Sequence, residues 1–76
     1  MTIGQRAAQA IRETAAREGI KLFQELYLLG FSKEAFYGWE KNGHEPQAYF
    51  LRQLALAGYD VYWILTGERT EMEDKT

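Results

Sequence analysis

The chemistry open to this chain is set by a short list of side chains. It holds one histidine, His44, and no cysteine, so a thiol nucleophile, a disulfide and a Cys-based zinc site are all excluded. His44 has no companion ligand or nucleophile near it in sequence, which leaves proton transfer and metal binding without partners. There is no glycine-rich phosphate loop, and no carboxylate pair has a spacing that suggests a cleft. The residues therefore predict no enzyme, no metal, no cofactor and no small-molecule ligand. What remains is hydrogen-bonding chemistry. It is concentrated in Ser32, Lys33, Glu34 and Tyr37, followed closely by Lys41, Asn42, Gly43 and His44.

A helix must present that set. Ser32 is a good N-cap, Lys33 to Lys41 contains no proline, and Asn42-Gly43 tolerates the left-handed backbone that ends helices. Ala35, Phe36 and Trp39 fall at helical spacing, so one face turns inward and Lys33, Glu34, Tyr37, Gly38 and Lys41 lie opposite. Leu29-Gly30-Phe31 makes a tight turn behind an apolar helix reaching back to Ile20, whose inward stripe is expected to be Ile20, Phe23, Leu26 and Leu29. Tyr27 and Leu28 are surplus to that stripe.

The rest of the chain reads as three more helices. Thr2 caps a first one to about Glu18, with Ile3, Ala7, Ile11 and Ala15 inward, Arg6, Arg12 and Arg17 outward, and Gly19 as its stop. Pro46 suits the first turn of another, running to Ala57 with Phe50, Leu51 and Leu54 on its stripe, and Gly58 ends it. Asp60 caps a final short helix, Val61 to Leu65, in which Trp63 and either Ile64 or Leu65 are inward. Nothing reads as a strand. The expected fold is all-α, a compact five-helix bundle over residues 1–67, followed by an acidic, disordered tail over 68–76.

Two motifs in this order carry a family resemblance. Gly30-Phe31-Ser32 with Trp39-Glu40, Gly43 and Pro46, and later Trp63-Ile64-Leu65-Thr66-Gly67-Glu68, make the chain similar to the phage-repressor, Cro or Xre-type helix-turn-helix domains (lambda-repressor-like). The resemblance spans roughly Ile20 to Glu68. It departs at Glu25, where the family prefers an apolar residue, and at Leu26, where it prefers alanine. It implies that the first turn of the Ser32–Lys41 helix enters the major groove of double-stranded DNA. There Lys33 donates to guanine, Glu34 accepts from a cytosine amino group, Tyr37 meets a thymine methyl, and Ser32 bonds a base edge or phosphate. Gly38 lets the helix come close. The resemblance places Lys21, Gln24, Lys41, Asn42, Gly43 and His44 against the sugar-phosphate backbone. Tyr59, Tyr62 and Ile64 are the expected two-fold homodimer interface. The implied role is a cytoplasmic transcriptional repressor, either a short Cro-like form or the DNA-binding part of something longer.

Charge argues the other way. The formal net charge is −2. The segment after Gly67 holds Glu68, Glu71, Glu73 and Asp74 against Arg69 and Lys75, and without it acidic and basic residues balance. A neutral domain gains little from phosphate neutralisation. A rival expectation follows: a helical module that binds protein, such as an antitoxin, an antirepressor or a polymerase-binding inhibitor. No apolar run approaches 18 residues and no signal peptide is evident, which predicts a soluble, membrane-free protein.

Overall fold

Helix boundaries fall where local capping chemistry directs them. In the computed structural model, which describes residues 1–69, Thr2 opens α1 (Ile3–Glu18) with a reciprocal cap. Thr2 Oγ1 accepts from the Gln5 amide at 3.0 Å, and Gln5 Oε1 accepts from the Thr2 amide at 3.0 Å. Two of the amides stranded at a helix start are thereby satisfied. Four further helices follow, α2 (Leu22–Leu29), α3 (Lys33–Asn42), α4 (Ala48–Leu56) and α5 (Val61–Thr66). The fold is an all-α bundle of five helices.

α1 is the central stave: α2, α3 and α5 pack on it, and α4 packs on α5. Its buried residues are small apart from one, Gly4, Ala7, Ala8, Ile11 and Ala15, and small residues let neighbouring backbones approach closely. The approach is closest at Gly4, where an added Cβ would lie 1.9 Å from the His44 carbonyl oxygen. Phe36, Ile11, Leu54 and Ile64 are the large side chains wholly enclosed at the centre.

α5 has only six residues, too few to persist without tertiary contacts. Arg6 of α1 holds it. Its Nε donates to the Ile64 carbonyl at 2.9 Å and its Nη2 to that of Leu65 at 3.3 Å, while Nη1 donates to the Met1 carbonyl at 2.8 Å. Carbonyls at the end of a helix lack intrahelical donors, and a guanidinium is well shaped to supply several.

Several expectations need correction. α2 begins at Leu22, two residues later than expected, and its register differs. Phe23 is 54% exposed, whereas Glu25 is buried beside Leu26 and Leu29. The reason is a polar contact across the fold, in which the Tyr59 hydroxyl donates to Glu25 Oε2 at 2.6 Å. Pro46 precedes α4 and does not join its first turn, because Gln47 is the N-cap. On α5, Ile64 is fully buried and Leu65 exposed. The tail expected over 68–76 lies, from residue 70 onward, outside the described residues. Within them, Arg69 turns back with its guanidinium 4.1 Å from the Trp63 ring centroid and 3.6 Å from an Asp60 carboxylate oxygen. Among the described residues, no helix is long and apolar enough to cross a membrane.

Candidate nucleic-acid interface

Everything about α3 rests on how it is pinned. The Gly30 backbone is left-handed at φ 79°, a conformation that costs glycine nothing. It lets Phe31 double back, and the Phe31 amide donates to the Leu26 carbonyl at 2.9 Å. Phe31 is buried and meets Trp39 and Phe50 edge-on, with ring centroids 5.6 Å and 5.1 Å away. Trp39 and Phe50 stand 5.1 Å apart in the same manner. The three rings fasten the connection between α2 and α3 at Phe31, the inner face of α3 at Trp39, and the first turn of α4 at Phe50.

On its flank, α3 is tied to α1 by an ion pair between Arg12 and Glu40, whose Nη2–Oε1 contact measures 2.9 Å. The hydrogen bond to Arg12, opposed by desolvation and helped by the guanidinium charge, holds the Glu40 carboxyl below the usual carboxylate range. A depressed folded-state value means stability that is present above the unfolded carboxyl pKa of about 4.3 and is lost as pH falls through the folded value. Both side chains keep solvent contact, at 47% and 26% exposure, so screening limits the pair to about 1 kcal/mol or less. Glu40→Gln is expected to lower the thermal midpoint at pH 7 by a few degrees, and the gap to the parent protein should close by pH 3. A gap that stays constant with pH would show the loss to be steric.

The outer face of α3 is open. Ser32, Lys33, Glu34 and Lys41 are exposed, and Tyr37 is 40% exposed with its ring edge-on to buried Phe36 at 5.5 Å. Lys33, Tyr37 and Lys41 are four residues apart and so share one stripe. The Lys41 ammonium stands 5.8 Å from the Tyr37 ring centroid. Neither Lys33 nor Lys41 has a carboxylate within ion-pair distance among the described residues. Arg6 and Arg12 are engaged within the chain instead, and add nothing to a free basic strip.

Several expected site residues have other duties. Ser32 Oγ accepts from the Ala35 amide at 3.1 Å, so the hydroxyl is the N-cap first and has only its proton left to offer. Gly38 is not an open approach. A Cβ there would come within 3.1 Å of His44 Nδ1, so its missing side chain makes room for the imidazole and not for a duplex. The amides of Gly43 and His44 both donate to the Gly38 carbonyl, and that of Asn42 lies within α3. Of the residues expected to act here, Lys41, Asn42 and His44 therefore offer their side chains alone, and exposed Glu45 adds an acid beside them. Lys21 is exposed at the N-cap of α2, and Gln24 Oε1 is taken by the Lys21 amide at 2.8 Å.

The expected dimer set is similarly reduced. Ile64 belongs to the core, and Tyr59 is half-buried with its hydroxyl on Glu25, leaving Tyr62 at 49% exposure. Burial, then the hydrogen bond to Glu25, pushes the Tyr59 phenol well above its ordinary range. Gly4, Arg6 and Glu25 matter to this architecture in ways that local pattern does not reveal. Glycine at position 4, inside an otherwise alanine-rich helix, and glutamate at position 25, where the resemblance calls for an apolar residue, were the visible traces. His44 stands apart from other ligands: no three His, Cys, Asp or Glu gather into a metal-sized group among the described residues.

The arrangement is thus a short helix, rigidly backed, that offers one cation-aromatic-cation stripe to solvent, with Glu34 exposed beside it and Glu40 partly so. Comparison with known proteins adds no relative: no protein-family model, no curated protein and no solved structure matches the chain.

Proposed function

We propose that this chain is a sequence-specific, double-stranded-DNA-binding regulator of transcription, related in kind to the phage-repressor helix-turn-helix proteins it resembles. In this reading α2 and α3 form the helix-turn-helix, and the first turns of α3 read the major groove, the protein acting in the cytoplasm as a homodimer on a paired half-site. Repression follows from covering a promoter.

The observation that carries the reading is the exposed Lys33–Tyr37–Lys41 stripe on a helix whose opposite face, Phe36 and Trp39, is locked in the core. Rigid presentation matters because base readout depends on donors held in register with base edges. Lys33 is the base-reading donor, with Tyr37 beside it for a thymine methyl. Glu34 selects cytosine and rejects misplaced phosphate. Lys41, with the Asn42 and His44 side chains, takes the backbone. Lys33→Ala is expected to weaken binding to the selected duplex by roughly 1–3 kcal/mol and to relax preference at one base pair. Measured by fluorescence anisotropy, an unchanged base preference would remove Lys33 from the reading set.

A second reading, a module that binds protein through the same face, is supported by the commitment of Arg6 and Arg12 inside the chain. That leaves few free cations for phosphate. Binding that is insensitive to salt and to duplex sequence would favour it.

A further inference from the structure

Three strongly exposed apolar side chains sit together on one helix, while Tyr49 and Leu56 are exposed on α4 and Tyr62 and Leu65 on α5. Phe23, Tyr27 and Leu28 of α2 are 54%, 83% and 71% exposed. With Ile20 and Gln24 they line one open hollow to which no other element contributes. Phe23, Gln24, Tyr27 and Leu28 recur at helical spacing and form a stripe along the outer side of α2, which Ile20, just before the helix, extends. Its inner side is already occupied by Leu26, Leu29 and Glu25.

We infer that this stripe is the contact between two copies of the chain, formed by α2 against α2 in antiparallel order about a two-fold axis near Gln24. Three observations select a second copy as the occupant. First, the stripe carries no charge. Between Lys21 and Lys33 the one ionisable acid is Glu25, and its carboxylate is turned inside onto Tyr59. Apart from Lys21, exposed at its N-terminal rim, the face carries no charge and meets its own image with no like-charge conflict. Second, the stripe is self-matching: antiparallel pairing sets Tyr27 and Leu28 of each copy over Ile20 and Phe23 of the other, and lays the two helix dipoles side by side in opposite senses, which is favourable. Third, the area fits a reversible contact. The exposed parts of Phe23, Tyr27 and Leu28 amount to roughly 400 Å². Two such faces total roughly 800 Å², below the 1,200 Å² or so of stable specific interfaces and in the range of weak, transient contacts. The dimer is therefore a weak one, with dissociation in the micromolar-to-millimolar range. It replaces the α5 end as the pairing surface, since Ile64 and Tyr59 are committed to the interior, and it withdraws Gln24 from the DNA backbone.

The inference gives the proposed function its pairing contact, but its test contains no DNA, so either can fail alone. Sedimentation equilibrium of the full chain, from about 10 µM to about 1 mM, is expected to show a monomer–dimer equilibrium. Tyr27→Glu and Leu28→Glu, at positions too exposed to disturb the fold, should each weaken dimerisation at least about 10-fold with an unchanged thermal midpoint. Tyr62→Glu should leave it intact. A monomer throughout that range overturns the inference, as does a dimer that survives Tyr27→Glu and Leu28→Glu or is lost in Tyr62→Glu.

Discussion

Gly4→Ala is expected to destabilise the protein by about 3 kcal/mol or more, although the substitution places a better helix former inside a helix. Helix propensity alone favours alanine over glycine by about 1 kcal/mol. Against this stands a Cβ 1.9 Å from the His44 carbonyl oxygen and 3.1 Å from the Trp39 Cα. Both neighbours are backbone, so no rotamer change relieves the overlap; α1 must move off α3 and its following loop. That movement would loosen the packing of Ile11, Phe36 and Trp39, which are buried where the two helices meet. For a domain of this size the thermal midpoint should drop by roughly 15 °C. A midpoint that rises by a few degrees would mean that α1 does not lie against the α3–α4 connection as described.

Tyr59→Phe is the second large effect. The variant keeps the ring but removes the donor that satisfies Glu25, a carboxyl in a residue only 5% exposed. Leaving a buried acceptor of this kind unpaired costs about 2–3 kcal/mol, well above the 1 kcal/mol or so of an ordinary hydrogen bond. Replacing both partners is different. Glu25→Leu combined with Tyr59→Phe removes the buried polar pair altogether and should recover most of the loss, since an apolar pair of similar shape can match a buried polar one. Urea unfolding of the single and double variants checks this. Additive losses in the double variant would show that Glu25 and Tyr59 act independently.

The contrast between these residues explains how far the fold could be read from sequence. Caps and stops were legible because they are local: Thr2, Ser32 and Asp60 each sit three residues before the amide they accept from. The register of α2 was not. Apolar residues occupy Leu22, Phe23, Leu26, Tyr27, Leu28 and Leu29, so periodicity leaves its phase open, and the decision falls to Tyr59, 34 positions away. The same distance problem hid Arg6, whose acceptors lie on α5, 58 and 59 residues on. In the candidate site, the exposure of Lys33, Glu34 and Tyr37 followed directly from the burial of Phe36 and Trp39. Gly38 was misread because a missing side chain looks like open space in a sequence, and in the fold that room is already used by His44. Gly43 stops α3 with a left-handed backbone as expected, but its amide is spent on the Gly38 carbonyl.

The most direct test of the proposed function is selection of bound duplexes from a random pool, followed by fluorescence anisotropy on the winner at two salt concentrations. The account predicts a two-fold-symmetric motif and a salt dependence that is real but shallow. With Lys21 and Lys41 as the exposed lysines set against the backbone, about two phosphates per copy give a log–log slope of roughly −3.6 for a dimer. No enrichment of any sequence, even at low salt, would contradict it and leave α3 as a helix presented to a protein.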